Sequence, residues 1–377
     1  MMQKNVVIAG YARSPFQLAK KGNLTRVRPD DLAAAVVRGL IEKTGVDTAD
    51  VEDLIVGCAF PEGEQGLNVA KLIGFLAALP QSVAGATVNR FCGSSMQAIH
   101  MAAGAINCGA GEVFICAGVE SMSRVPMGGY NPLMNPQLMK DLPAAYMGMG
   151  ETAENVAKRH EISRERQESL AVDSHRKAAE ARAQGRLRAE IVAFAGLDQD
   201  GCIREDTSAA GLADLQPAFL ADGSVTAGTS SPLTDGASAV LVTSEDYAQA
   251  KGLPILARIK SFAVAGCAPE IMGMGPVAAS TKALKRAGLT IAEMDVIELN
   301  EAFASQALAC IDQLGADLAK VNLDGGALAL GHPLGATGAR ITGKAASLLK
   351  REGGRYALAT QCIGGGQGIA TILEAVE

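Results

Sequence analysis

The sequence predicts an α/β protein made of two related halves, with an irregular segment inserted into the first half. Short apolar runs that look like strands alternate with alanine-rich helical runs along most of the 377 residues. The order of these elements in the first half returns in the second half. Residues 121–232 break the alternation and are rich in loops. We expect the strands to be buried and mostly parallel.

The individual elements follow from the spacing of apolar residues. Helices are predicted at 31–45 and 94–109, where small and apolar residues recur with helical spacing, and a third at 336–350. Eight runs rich in apolar and β-branched residues are the predicted strands: 5–12, 53–60, 112–119, 237–244, 258–266, 295–300, 355–363 and 368–376. Strands that alternate with helices in this way indicate layered α/β packing.

The repeated order of elements indicates a duplication. In the first half a helix is followed by Gly45 and then by strand 53–60, and in the second half a helix is followed by Gly288 and then by strand 295–300. Further along each half, a glycine-containing loop opens a helix that leads to another strand. Any α/β protein is somewhat repetitive, but the matching order favours two duplicated halves.

The length is sufficient for two or three domains, at about 150 residues per domain. Residues 1–120 and 233–254 are predicted to form the first half, which carries Cys92. Residues 121–232 are predicted to form a loop domain, and residues 255–377 the second half.

Composition excludes several classes of function. The net charge of −6, the absence of Trp and an aromatic content of 4% argue against a nucleic-acid partner. No apolar run is long enough to span a membrane, and no secretory leader is recognisable, so we expect a cytoplasmic protein. The eight cysteines lack the two-residue spacing of zinc or redox motifs, and with four histidines we expect no metal site.

A basic stretch stands out within the irregular segment. Between residues 158 and 188 there are nine Lys or Arg and five Asp or Glu side chains. This stretch is either a solvated helix face or a binding surface for an anionic ligand. Charge alone favours the solvated face.

Cys92 is the strongest candidate nucleophile. It lies in the run 88–95, VNRFCGSS, where a strand end is expected to meet a helix. A thiol at a helix N-terminus feels the positive end of the helix dipole, which favours the thiolate. Gly93 and the small serines that follow leave room for a substrate. Most free cysteines are simply buried, and we interpret Cys108, Cys116 and Cys310 in that way.

Three more polar motifs lie in the second half. His332, in GHPLG, is flanked by glycines and stiffened by the following proline, and is a candidate general base or oxyanion donor. Cys362 begins the run CIGGGQG, in which Gly364 and its neighbours expose backbone N–H groups that can hold an oxyanion. Asn300 opens the run NEAFA at the end of a predicted strand.

Together and in this order, these motifs resemble those of the thiolase superfamily along nearly the whole chain. The resemblance implies a thiolase fold: two duplicated α/β halves with mixed sheets in a layered α/β/α/β/α arrangement, plus a loop domain that covers coenzyme A. The matching runs are VNRFCGSS (88–95), AGVESMS (117–123), SVTAGTSSPLTDGA (224–237), NEAFA (300–304), GGALALGHPLGATG (325–338) and QCIGGGQG (361–368).

The resemblance also implies a role for each of these residues. Cys92 carries the acyl group, His332 activates it, and Cys362 is the acid/base. One oxyanion hole is formed by His332 and a water held by Asn300, and the other by the backbone N–H groups of Cys92 and Gly364. The residues expected around the substrate are Arg204 near the nucleotide, Ala227 and Ser231 on the pantetheine arm, and Met149, Met272 and Phe303 in the acyl pocket.

The function implied is thiolytic cleavage of 3-ketoacyl-CoA to acetyl-CoA and a shortened acyl-CoA, as in β-oxidation. Coenzyme A is a co-substrate, and no permanently bound cofactor is expected. An acetoacetyl-CoA-forming biosynthetic thiolase is the alternative, although residues 146–149 read YMGM where that type has YHMG. A non-catalytic protein that binds CoA or lipid is an alternative of another class. We expect a homodimer or homotetramer, with a β-oxidation hydratase/dehydrogenase as a candidate partner.

Overall fold

The computed structural model describes residues 4–376. The first half contains a strand-rich core and four helices before and after the inserted segment. Its elements are β1 (Val6–Arg13), β2 (Gln17–Leu18), α1 (Pro29–Thr44), β3 (Asp53–Gly57), α2 (Val69–Leu76), β4 (Ala84–Val88), α3 (Ser94–Cys108), β5 (Val113–Ser121), β6 (Thr234–Ser244) and α8 (Glu245–Ala250). The predicted strands of this half are present within a few residues, and β2 and most of β4 were not anticipated.

The second half follows the same order. Its elements are β7 (Ala257–Gly266), α9 (Gly275–Ala287), β8 (Val296–Leu299), α10 (Ala304–Leu314), α11 (Ala327–Leu330), α12 (Leu334–Glu352), β9 (Tyr356–Ile363) and β10 (Gln367–Glu374). The helices between β5 and β6 are α4 (Pro136–Asp141), α5 (Met149–Arg159), α6 (Arg164–Ala183) and α7 (Ala209–Ala213).

The strand order shows the internal repeat. From the outer edge of the first half the order is β4-β3-β5-β6-β1, and from the outer edge of the second half it is β8-β9-β10-β7. An isolated parallel bridge between Ile297 and Val321 stands where β4 stands in the first half. The two sheets meet at β1 and β7 through two residue pairs, Val7 with Arg258 and Ile8 with Ala257. The predicted duplication therefore agrees with the topology.

The expectation of mostly parallel strands is wrong. Strands β3–β4, β3–β5 and β8–β9 pair in parallel, whereas β6 and β10 run antiparallel to their neighbours. Strand β10 follows β9 through a tight turn, which gives antiparallel pairing, and β6 follows β5 only after the inserted segment with its four helices. Both faces of the sheets are covered by helices, so even antiparallel strands are continuously apolar and look parallel in sequence.

Five layers result from the way the helices cover the sheets. Helix α1 packs on β1, β5 and β6 from outside, and α9 packs on β7, β9 and β10. Helices α3 and α12 pack against each other and against strands of both halves, so they form the central layer. One hydrophobic core surrounds this central pair, and two further cores lie beneath α1 and beneath α9. The layered α/β/α/β/α arrangement is as expected.

The central helix α12 approaches the first half unusually closely. A Cβ on Gly118 of β5 would lie 2.2 Å from the carbonyl oxygen of Gly335. A side chain at residue 118 would therefore push α12 away from the strand. The close approach fixes the first turn of α12, which follows directly after His332, on the first half.

The basic stretch in the inserted segment is largely neutralised. Six of its nine cations form ion pairs with carboxylates, among them Arg166 with Asp312 and Arg186 with Asp324. Helix α6 packs against α10 and α11, so this stretch is mainly a structural face. For most of the stretch, these ion pairs argue against a binding surface for an anionic ligand. Within residues 4–376, no helix is long and apolar enough to cross a membrane.

Candidate active site

Cys92 lies in the tight connection between β4 and α3. Gly93 is the N-cap of α3, so the thiol stands just before the first turn of the helix. The preceding residue, Phe91, has a φ of 43°, a backbone conformation that is strained for an aromatic residue. Arg90 ties this connection to the second half through a 2.7 Å hydrogen bond to the Gln367 side chain.

Two backbone N–H groups point at the Cys92 sulfur, one from Cys92 itself and one from Gly364. Burial nevertheless raises the pKa of Cys92 to about 11, the two N–H groups lower it less, and the carboxylate of Glu120 adds to the increase. The helix start favours the thiolate, as expected, but loss of water outweighs the helix dipole. The Cys92 thiol is therefore neutral at rest, and its ionisation requires a base.

His332 is the buried imidazole of the site. Its backbone N–H donates to the Thr234 hydroxyl at 3.0 Å, at the point where the inserted segment enters β6. Its Nδ1 lies 2.6 Å from the Thr337 hydroxyl, and its Nε2 lies 3.3 Å from Nδ2 of Asn300. Burial and, second, the charge of Arg340 lower its pKa to about 3. The ring is therefore neutral near pH 7 and able to accept a proton.

Asn300 follows directly after β8 and faces the imidazole. Its backbone N–H donates to the carbonyl of Thr360, which fixes it against β9. Its Oδ1 is buried without a hydrogen-bond partner among residues 4–376, which leaves one acceptor free. The next residue, Glu301, is also buried and accepts hydrogen bonds from Ser174 and Asn322. These bonds fix the NEAFA loop onto the inserted segment and the second half.

Cys362 is the penultimate residue of β9, immediately before the glycine turn to β10. Gly365 and Gly366 have positive φ values of 80° and 87°, which a tight turn requires. Burial, followed by the neighbouring thiols Cys92 and Cys310, raises the pKa of Cys362 well above its usual value. Cys362 is therefore a neutral thiol, close enough to Cys92 that ionisation of one thiol disfavours ionisation of the other.

The two cysteine loops are in direct contact across the interface between the halves. The side-chain amide of Gln361 donates a hydrogen bond to the carbonyl oxygen of Cys92. Gly93 packs against Ile363, and a Cβ at residue 93 would lie 2.6 Å from the Ile363 side chain. One thiol from each half therefore lies in the same site, as the duplication predicts.

The three residues predicted for the acyl pocket lie together. Met149, Met272 and Phe303 form one apolar cluster with Cys362. The Met149 sulfur lies beside Gly364, 3.5 Å from where a Cβ on that glycine would stand. An apolar wall therefore borders both the Cys362 thiol and the N–H group that faces Cys92.

The residues predicted to contact coenzyme A lie at different distances from this cluster. The backbone N–H of Ser231 donates to the carbonyl of Ala302 at 3.0 Å, next to Phe303. Ala227 is exposed at the start of the same connection. Arg204 is also exposed, and its backbone N–H donates to Nδ1 of His175. The structure brings Ser231 to the pocket but does not bring Arg204 into contact with the thiols or the imidazole.

Sequence reasoning missed three supporting residues. The buried carboxylate of Glu120 accepts hydrogen bonds from the backbone N–H groups of Ala59 and Gly335 and from the Gln65 side chain. It thereby joins the first half to the start of α12, next to His332. Thr337 and Gln361 were also missed, although both stand in quoted motifs.

The site lies between duplicated α/β halves and contains two thiols, a neutral imidazole and convergent N–H groups. Together these groups define a site for thiol-dependent acyl transfer. Within residues 4–376, no group of three or more His, Cys, Asp or Glu side chains is arranged to hold a metal ion. All eight cysteines are free; Cys116 and Cys310 are buried as expected, whereas the expectation for Cys108 is wrong because it lies exposed at the end of α3.

The chain belongs to the thiolase family and is an acyltransferase. Residues 6–246 match the thiolase N-terminal domain, and residues 253–375 match the thiolase C-terminal domain. A 3-ketoacyl-CoA thiolase of Bacillus subtilis is 47% identical, and the match covers 98% of this chain and 99% of the relative. One from a Marinomonas species is 50% identical, with 99% and 98% covered.

Solved structures support the same family and fold. Human mitochondrial 3-ketoacyl-CoA thiolase is 36% identical, with a TM-score of 0.92 and full coverage of both chains. The same human enzyme solved in complex with CoA is likewise 36% identical with a TM-score of 0.92, covering 100% of this chain and 99% of the human chain. The thiolase fold expected from the motifs is thus confirmed.

Proposed function

We propose that this thiolase cleaves 3-ketoacyl-CoA with coenzyme A, releasing acetyl-CoA and a shortened acyl-CoA. One observation carries the proposal: the thiols of Cys92 and Cys362 come from opposite halves, and their loops are in direct contact through the Gln361 amide and through Gly93 and Ile363. One thiol serves as the acyl carrier and the other as the proton donor to carbon. The curated relatives named 3-ketoacyl-CoA thiolase over nearly their whole length support this assignment.

The first half-reaction forms the acyl-enzyme. The Cys92 sulfur attacks the 3-keto carbon as its proton passes to Nε2 of His332. The N–H groups of Cys92 and Gly364 point at the sulfur and would bind the oxyanion that forms beside it. The bond between C2 and C3 then breaks, which leaves the acyl group on Cys92 and an acetyl-CoA enolate.

The second thiol completes the reaction. Cys362 donates its proton to C2 of the enolate, and His332 with a water held by Asn300 would stabilise the enolate oxygen. The Cys362 thiolate then takes the proton of incoming coenzyme A, whose sulfur attacks the acyl group on Cys92. Cys92 leaves as a thiolate and recovers its proton from His332, so both cysteines end as thiols.

Binding of the substrate is assigned to the residues around the apolar cluster. Ser231 and Ala227 would contact the pantetheine arm, and Met149, Met272 and Phe303 would hold the acyl chain. Arg204 would contact the nucleotide, because it is exposed whereas most cations of the basic stretch are ion-paired. We place the enzyme in the cytoplasm, a reducing compartment in which eight free cysteines persist.

A homo-oligomer is proposed from the outer edge of the first half. Strand β4 borders the sheet and pairs only with β3 within the described chain. An unpaired edge with apolar side chains beside it favours pairing with a second copy. The exposed apolar side chains on the adjoining helices are Leu72, Phe75, Leu76 and Met101.

Chain-length activity tests the proposed function. With coenzyme A and 3-ketoacyl-CoA substrates of about 4, 8 and 16 carbons, we expect acetyl-CoA and the acyl-CoA shortened by two carbons, detected by mass spectrometry. Without free coenzyme A, the acyl group should remain on a peptide that contains Cys92. Turnover confined to the shortest substrate would favour the biosynthetic alternative. Binding without any turnover would favour the non-catalytic one.

The nucleotide contact is tested by Arg204→Ala. Because a remote phosphate contact binds the ground state and the transition state alike, we expect KM for coenzyme A to rise about tenfold with kcat nearly unchanged. Arg176→Ala is the matched control, since Arg176 is an exposed cation already paired with Asp173 and Glu180. Equal KM values for the parent and Arg204→Ala would move the nucleotide elsewhere.

Light scattering tests the assembly. We expect a mass of at least two chains for the parent and a shift towards the monomer for Phe75→Lys, whose side chain is 53% exposed beside β4. Leu138→Lys, at another exposed apolar position on α4, is expected to keep at least the dimer. A monomeric parent at micromolar concentration would refute the homo-oligomer.

A further inference from the structure

We infer that Thr337 is a positioning residue that fixes the tautomer of His332 and so makes its Nε2 the base for Cys92. The inference rests on the proposed function for the identity of the reaction, but its structural content is independent of the substrate. Thr337 lies in the first turn of α12, five residues after the histidine, and both side chains are buried.

The hydroxyl of Thr337 has one proton and two neighbours. Its oxygen lies 3.0 Å from the carbonyl oxygen of Pro333, which can only accept, and 2.6 Å from Nδ1 of His332. Since the proton is directed to the carbonyl, the hydroxyl oxygen must accept from the imidazole. Nδ1 therefore carries the hydrogen, and Nε2 carries the lone pair.

The surroundings of Nε2 agree with this assignment. The Asn300 Nδ2 group, which can only donate, lies 3.3 Å from Nε2. If Thr337 instead donated to Nδ1, its oxygen and that of Pro333 would face each other as two acceptors, and Nε2–H would face the N–H of Asn300. Both contacts would then be repulsive.

Burial and, second, the charge of Arg340 keep the His332 ring neutral before it acts, because both lower its pKa. Arg340 lies on α12 and itself pairs with Glu298 of β8 at 2.8 Å. Glu120 of β5 caps the start of α12 through the N–H of Gly335. From the inserted segment, the buried Cys202 thiol packs beside Gly331.

The hydroxyl has a second effect once the proton has moved. When Nε2 takes the Cys92 proton, Nδ1–H keeps its acceptor, so the buried imidazolium is not left with an unpaired donor. Loss of the hydroxyl therefore allows either tautomer of His332 and also destabilises the imidazolium. An apolar residue of the same shape removes these effects and little else.

The experiment compares three variants of the full-length enzyme. Thr337→Val removes the hydroxyl, and Thr337→Ser keeps it. Thr342→Val is the matched control, because Thr342 is buried on the same helix and its hydroxyl donates in the same way to the carbonyl of Gly338 at 2.8 Å. Circular dichroism melting checks that all three variants fold.

Two readouts are taken. The rate of acyl transfer from acetyl-CoA onto Cys92 is followed by mass spectrometry across pH, and histidine labelled with ¹⁵N reports which ring nitrogen is protonated. With four histidines in the chain, His332→Asn identifies the His332 signals. The nitrogen signals do not depend on cleavage of any 3-ketoacyl-CoA, so failure of the proposed function leaves this test readable.

The parent should show a protonated Nδ1 and an unprotonated Nε2 on His332. In Thr337→Val we expect acyl transfer to slow about 50-fold and the Nε2–H tautomer to appear, since a base held in the wrong tautomer loses most of its activity. Thr337→Ser should restore the parent tautomer and most of the rate, and Thr342→Val should resemble the parent. A protonated Nε2 in the neutral parent, or parent-like rates and signals in Thr337→Val, would overturn the inference.

Discussion

The contact between the two cysteine loops is the constraint on which the rest of the site depends. The Gln361 amide holds the carbonyl of Cys92, and Gly93 packs on Ile363 without a side chain between them. This contact places the N–H of Gly364 against the Cys92 sulfur. It exists only because α3 and α12 share the central layer, where strands from both halves pack on them. Neither half alone contains the site.

The resting site holds its reactive groups uncharged. Burial raises the pKa of both Cys92 and Cys362 and lowers that of His332, so all three are neutral near pH 7. A buried thiolate or imidazolium without a partner would be costly. In the proposed reaction, charge would develop only when the substrate is present to receive it. The fixed N–H groups would then stabilise that charge without reorganising, which is the usual origin of large catalytic effects.

Much of the fold was predictable from the sequence, because the apolar pattern of each element and the order of the elements along the chain indicate the same architecture. The apolar runs gave strands within a few residues of β1, β5, β9 and β10, and the repeated order of elements predicted the duplication. Strand direction was not predictable, because helices on both faces make antiparallel strands as apolar as parallel ones. The basic stretch allowed two interpretations, a solvated helix face or an anion-binding surface. The sequence could not decide between them because the carboxylates that pair with its cations, such as Asp312 and Asp324, are remote in sequence.

The sequence predicted which motif residues form the candidate site, but it did not predict their protonation states. The motifs named Cys92, His332 and Cys362; the structure brings the two cysteines together and places His332 beside Asn300. The protonation states depend on burial and on Glu120 and Arg340, neither of which is adjacent in sequence to the group it affects. Thr337 was overlooked because its effect requires the first turn of α12 to fold back towards the imidazole. Such contacts form only in the folded tertiary structure, so the sequence motifs alone do not show them.

The central claim is that the two thiols divide the chemistry, one carrying the acyl group and the other moving the proton on carbon. The most direct measurement is exchange of the acetyl-CoA methyl hydrogens with deuterium oxide in Cys362→Ala, alongside transfer of the acetyl group onto Cys92. The account predicts that the acetyl group still transfers to Cys92 while the exchange stops. Exchange at the parent rate in Cys362→Ala would contradict it and assign the proton transfer to another group.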